Sequence, residues 1–115
     1  MKRLEETRLS HNQRRALEEI RRELTRAFDV AALVLFGSAV RGEADEESDT
    51  DLLVVTNKPL PRPVRHEITD IVFEINLRYG TNFSTLVVDR HSWEEGAVSV
   101  TPLRAEILKE GIPLW

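Results

Sequence analysis

Ala31-Ala32-Leu33-Val34-Leu35-Phe36-Gly37-Ser38, ten further residues, and then Asp49-Thr50-Asp51-Leu52-Leu53-Val54-Val55 form the stretch on which the fold turns. The run from Ala31 to Phe36 carries no charge, has the length and composition of a buried strand, and stops at Gly37. A helical start is expected next. Gly37 lets backbone come close to a ligand, Ser38 offers a hydroxyl, and the free N–H groups opening the following segment suit a phosphate. Asp49 and Asp51 run straight into Leu52-Leu53-Val54-Val55, which places them on the first residues of a second buried strand. Side chains alternate along a strand, so both carboxylates face one way and Thr50 the other. A close pair of like charges is costly unless a cation lies between them, and oxygen-only ligands select Mg²⁺ or Mn²⁺. Gly-Ser pairs and Asp-x-Asp triplets are each common in surface loops. Their combination, with a strand on either side, is specific.

This wording resembles the minimal nucleotidyltransferases of the DNA polymerase β superfamily, whose signature is Gly-Ser, ten residues, Asp-x-Asp. The spacing matches without a gap, Arg41-Gly42 and Ser48 fit the same pattern, and Lys109-Glu110-Gly111-Ile112-Pro113-Leu114-Trp115 looks like the family's closing segment. The resemblance covers most of the chain. It implies an α/β polymerase β-like nucleotidyltransferase fold, a mixed central sheet with helices mainly on one face. It further implies Asp49 and Asp51 as catalytic carboxylates and ligands of Mg²⁺ or Mn²⁺, and Gly37 and Ser38 as holders of the outer phosphates of ATP or another nucleoside triphosphate. Arg41 is a candidate for neutralising pyrophosphate, or else a local ion-pair partner of Glu43, Asp45, Glu46 and Glu47. The chemistry implied is attack of a hydroxyl on the α-phosphorus, with pyrophosphate leaving.

Relatives of this type usually carry a third carboxylate on the strand after the long helix. Here that strand reads Asn82-Phe83-Ser84-Thr85-Leu86-Val87-Val88-Asp89, with Ser84 or Thr85 where the acid falls. Asp89 comes late and suits a cap before His91 and Ser92. His11, His66 and His91 show no metal-ligand spacing, and His91 is a poorly positioned candidate base. Trp93 and Trp115 read as core or interface residues. By resemblance, the chain is an antitoxin paired with a helical HEPN-domain toxin, binding it or transferring AMP to one of its hydroxyls. Two alternatives stay open: a catalytically degenerate module that binds or scaffolds that partner, and a small-molecule nucleotidyltransferase completed by a homo-oligomer.

Composition narrows the class. The 115 residues fit one domain, 1–115, with residues 1–9 expected to be flexible. Hydrophobic content of 41% beside 31% charged residues argues against disorder, and the apolar runs are strand-sized, too short for a membrane span. The N-terminus lacks a signal-type apolar stretch, so a cytoplasmic location is the default. The absence of cysteine removes disulfides and thiolate chemistry. A net charge of −4 argues against general nucleic-acid binding. Arg14, Arg15, Arg21, Arg22 and Arg26, with Arg62, Arg65 and Arg78, read as solvated helix faces or as a docking surface for an acidic partner or RNA.

Leu17, Ile20, Leu24, Ala27 and Phe28 recur at helical spacing after Ser10 or Asn12 as cap. A strand from Val30, a short helix from Ser38 to Gly42, an acidic loop to Ser48 and a strand over Asp51 to Val55 follow. Pro59, Pro61 and Pro63 make a stiff connector to a longer helix ended by Gly80. A strand over Phe83 to Val88 comes next, then a stretch through Val100 without a clear signal. Thr101 and Pro102 open a last helix, and Ile112 to Trp115 suit a short edge strand. The alternation of helices and strands predicts an α/β domain.

Overall fold

The chain is described by a computed structural model over residues 9–37 and 50–114. The predicted helix from Ser38 to Gly42, the acidic loop after it and Trp115 lie outside the described residues.

Ser10 settles where the first helix begins. Its hydroxyl accepts the Gln13 N–H at 3.1 Å, and the Gln13 side chain accepts the Ser10 N–H at 2.7 Å. This reciprocal box satisfies two donors that a helix start otherwise leaves unpaired. It opens α1 (His11–Ala27), which buries Ala16, Leu17, Ile20 and Leu24. Asn12 does not cap the helix but donates from Nδ2 to the Tyr79 carbonyl at 3.2 Å. Leu9 is already buried in the same core.

Next come β1 (Val30–Phe36), β2 (Thr50–Thr56), α2 (Arg62–Tyr79), β3 (Phe83–Asp89), α3 (Arg90–Glu94), a 3₁₀ turn (Ala97–Val100), α4 (Pro102–Glu110) and β4 (Ile112–Pro113). Pro61 and Pro63 flank the start of α2, where a missing N–H costs nothing. Gly80 ends it with φ +68, the left-handed geometry that glycine adopts without penalty. The stretch without a sequence signal becomes α3 and the 3₁₀ turn, because Asp89 and Thr101 both act as caps.

Among the described residues the strands form one sheet in the order β3-β2-β1-β4. β1 runs antiparallel to β2 and β4, whereas β2 and β3 are parallel, so the sheet is mixed as expected. Parallel neighbours need a long crossover, and α2 supplies it. α1 and α2 lie on one face over Leu33, Leu35, Leu52 and Val54. On the other face Ile107 of α4 seals Val34, Leu53 and Val55, with Trp93 of α3 packed at the side. Each such side chain taken from water contributes about 1.5–3 kcal/mol before entropy. No helix among the described residues is long and apolar enough to cross a membrane.

Two polar devices hold this arrangement in register. The first is Asn76, near the end of α2. Its Nδ2 donates to the Phe83 carbonyl at 2.9 Å, while its Oδ1 accepts the Phe83 N–H at 2.9 Å and the Thr81 hydroxyl at 3.0 Å. The side-chain amide imitates a neighbouring strand and fixes the first residue of β3. Replacing Asn76 with Ala should cost about 2–3 kcal/mol, because two backbone groups lose their partners together. Urea unfolding measures the loss, and amide exchange should quicken first at Phe83.

The second device joins the helices. Glu19 of α1 meets the Tyr79 hydroxyl and the Arg78 guanidinium of α2, and the Arg15 guanidinium lies 5.6 Å from the Tyr79 ring centre. The Tyr79 hydrogen bond, and then Arg78, hold the Glu19 carboxyl below the usual range. The same bond pushes the Tyr79 phenol up. A depressed carboxylate adds stability above its unfolded pKa of about 4.3 and loses it as pH falls through the folded value. A raised phenol adds stability below about 10 and loses it as pH climbs through its folded value. Glu19→Gln should therefore lower the urea midpoint at neutral pH, and the difference from the wild type should shrink as pH falls through the folded carboxyl value.

Candidate functional site

β1 ends and β2 begins at one end of the sheet, where Phe36 is the register partner of Asp51. The next residue after Phe36 is Gly37, at φ +93, a conformation other L residues rarely adopt. A Cβ built there would stand 2.4 Å from Asp51 Oδ2 and 3.3 Å from its Cγ. The carboxylate thus occupies the space that a side chain at 37 would fill. Both demands, the positive φ and the close approach, require glycine.

Asp51 is also the one residue of β2 that is not buried; Thr50 before it and Leu52 to Thr56 after it all are. The Thr50 N–H donates to the Asn82 carbonyl at 3.0 Å, which locks the start of β2 to the approach of β3.

The parallel pairing of β2 with β3 sets Asp51 beside Ser84 and Leu52 beside Thr85. Leu53, Val55, Leu86 and Val88 pack in one core cluster and Leu52, Val54, Phe83 and Val87 in or against the other. By alternation Ser84 shares the face of Asp51, one strand spacing of about 4.8 Å away. Thr85 faces α2, where its hydroxyl lies 3.4 Å from that of Thr69. Of the two candidates for the missing acid's position, Ser84 is therefore the neighbour of Asp51. Sequence alone left that open, since strand parity depends on where β3 starts, and Asn76 sets the start.

Asp89 and His91 lie elsewhere. Asp89 is paired with Thr56 at the other end of β2, five residues or about 17 Å along the strand from Asp51. Its carboxylate accepts the Ser92 hydroxyl at 2.7 Å and the Ser92 N–H at 3.0 Å, which caps α3 and holds its pKa below the usual range. His91 is exposed on α3, 3.5 Å from Glu95. Trp93 is half-buried against the core, with the Arg104 guanidinium 5.5 Å from its ring centre.

Of the predicted site residues, Gly37 and Asp51 are thus brought together, whereas Ser38, Arg41 and Asp49 lie outside the described residues. A carboxylate with a hydroxyl beside it is a hard, oxygen-only donor set, which suits a hard cation rather than a thiophilic metal. Gly37→Ala should cost about 1–3 kcal/mol from the backbone strain alone. The cost should shrink in an Asp51→Ala background, where the clash is gone. A double-mutant cycle by urea unfolding reads that coupling.

Comparison with known proteins places the fold in a family. Residues 17–112 match the family described as Nucleotidyltransferase domain. The Methanocaldococcus jannaschii protein named "Putative protein adenylyltransferase MJ1305" is 43% identical over 82 residues, 70% of this chain and 54% of that protein. The chain therefore spans about half the length of that curated relative. A solved structure described as "Structure of putative minimal nucleotidyltransferase" superposes with a TM-score of 0.62 at 25% identity, over 88% of this chain and 91% of that one. Another, a toxin–antitoxin structure with AMP-PNP, gives a TM-score of 0.60 at 18% identity over 92% of this chain and 73% of that one, a likeness of fold. With the family matched from α1 to β4, the fold shared, and a carboxylate lodged against the glycine turn, the chain belongs to the nucleotidyltransferase domain family.

Proposed function

We propose that the chain binds Mg²⁺–ATP in the cleft at the paired ends of β1 and β2 and transfers AMP to a hydroxyl of a partner protein in the cytoplasm, as the antitoxin of a HEPN-domain toxin. The observation that carries this reading is the Asp51 carboxylate held against Gly37. The name of the Methanocaldococcus jannaschii relative supports adenylyl transfer, and the toxin–antitoxin neighbour solved with AMP-PNP supports a protein partner and a nucleotide ligand.

In this reading Asp51 and Asp49 hold Mg²⁺, which when bound offsets phosphate charge and polarises the α-phosphorus. Gly37 and Ser38 hold the outer phosphates, and Arg41 offsets the charge of the leaving pyrophosphate. In this reading the acceptor hydroxyl is supplied by the partner protein. The partner hydroxyl forms the new bond to the α-phosphorus as the bond to pyrophosphate breaks, and the hydroxyl proton is released to water.

Ser84 favours a second reading. Its hydroxyl is neither an anionic ligand nor a base, so the carboxylates of this cleft suit one Mg²⁺–nucleotide better than a two-metal site. A module that only binds nucleotide and neutralises its partner would have this composition.

One experiment separates the two readings. The chain is incubated with α-labelled ATP, Mg²⁺ and a candidate HEPN-domain partner. Label on the partner, lost in Asp51→Asn, is the expected result. Ser84→Asp should raise the labelling rate at least tenfold, about 1.4 kcal/mol of barrier, if a missing anionic ligand limits it. A wild-type chain that labels nothing yet still blocks toxicity would leave only the binding module.

A further inference from the structure

Among the described residues, the side formed by α2 and the outer edge of β3 lies apart from the contact of Gly37 with Asp51. β3 is the edge strand, with β2 as its only strand neighbour among the described residues. Asn76 holds both the N–H and the C=O of Phe83, so that residue's backbone points away from β2. By alternation the backbone groups of Thr85 and Val87 point the same way, while Ser84, Leu86 and Val88 serve the ladder. Among the described residues nothing outside the ladder bonds to the backbone of Thr85 or Val87.

Beside this edge runs a groove of about 410 Å³ lined by Arg62, Arg65, His66 and Thr69 of α2 and by Thr85 and Val87 of β3. Arg62 and Arg65 enter no ion pair among the described residues. One and two turns beyond Thr69 the same stripe continues with Phe73, 60% exposed, and Leu77, 69% exposed. Two large apolar side chains in water, next to an open strand edge and a pair of unmatched cations, form one continuous surface.

We propose that this surface docks an extended segment of a partner protein, which adds as a strand beside β3. The segment carries a carboxylate over Arg62 and Arg65 and, four residues away, a large apolar side chain over Phe73. The spacing follows from the helix: the eight-residue step from Arg65 to Phe73 rises about 12 Å, close to four strand residues. A polypeptide fits where RNA does not, because the edge offers alternating N–H and C=O groups that only another main chain matches in register. A second copy of this chain fits poorly. Its β3, set antiparallel, would bring its Asp89 to the Phe73 end rather than to the arginines, and that carboxylate is already held by Ser92.

Docking here would bring one end of the segment within two strand spacings, about 10 Å, of Asp51. The binding itself stands on the strand edge and not on the nucleotide chemistry. It is therefore measured without nucleotide, and its failure would leave the AMP-transfer reading untouched.

The probe is the synthetic peptide acetyl-Thr-Glu-Val-Thr-Val-Leu-Thr-amide, titrated into ¹⁵N-labelled protein. Saturable shifts are expected, largest at the amides of Thr85 and Val87, with a Kd below about 1 mM. Arg62→Glu with Arg65→Glu, and separately Phe73→Ser, should each weaken binding about tenfold or more at an unchanged urea midpoint. N-methylating the peptide's edge-facing amides should abolish binding. Any of four results overturns the proposal: no shift at Thr85 and Val87, equal binding of the N-methylated peptide, a uridine oligonucleotide shifting these residues where the peptide does not, or a dimer in sedimentation that Phe73→Ser dissolves.

Discussion

Burial of β2 on both faces is the constraint on which the rest depends. Leu52 and Val54 face the α1 and α2 layer while Leu53 and Val55 face Ile107, and all four are buried. Strand periodicity is two, so a one-residue slip would exchange the faces and drive the Asp51 carboxylate toward the helical core. An unpaired charge there costs far more than any single contact could return. Register is thus selected by the hydrophobic residues, and the carboxylate's position at the end of β1 follows from it.

Around that centre the structure uses polar groups sparingly and at boundaries. Ser10, Asp89 and Thr101 cap helices, Gly80 closes α2, and Asn76 stands in for a strand at the start of β3. Each removes an unsatisfied backbone group where regular structure stops. The consequence at the site is geometric. The Asn82 carbonyl, just before the residue that Asn76 clamps, receives the Thr50 N–H, so the end of α2 sets how Ser84 stands against Asp51.

The sequence made the strands and long helices legible because their signals are local: charge-free runs, helical apolar spacing, prolines and glycine at the ends of α2. The juxtaposition of Gly37 and Asp51 was legible as well, since a motif of fixed spacing between two strands leaves few ways to arrange them. Other features were not, because they depend on distant pairings. Whether Ser84 or Thr85 neighbours Asp51 depends on strand parity. Asn76, inside a helix, reads as an ordinary polar residue until Phe83 is seen 2.9 Å away. Asn12 looked like a cap and instead ties α1 to Tyr79, 67 positions on. Phe73 and Leu77, exposed on α2, lie off its buried stripe of Ile68, Val72 and Ile75, and only the packing of α2 on the sheet decides which apolar residues of the helix are covered.

The amide of Asn76 also ties the fold to slow covalent chemistry. Asparagine is among the thermolabile residues, and hydrolysis of its amide leaves a carboxylate of almost the same shape. At this position the change would erase the one donor aimed at the Phe83 carbonyl and set a negative oxygen against it, while the acceptor toward the Phe83 N–H survived. Half of the clamp would then repel the strand it holds. Chemical ageing of a single side chain, with no residue of the cleft altered, would loosen the start of β3 and with it the spacing between Ser84 and Asp51.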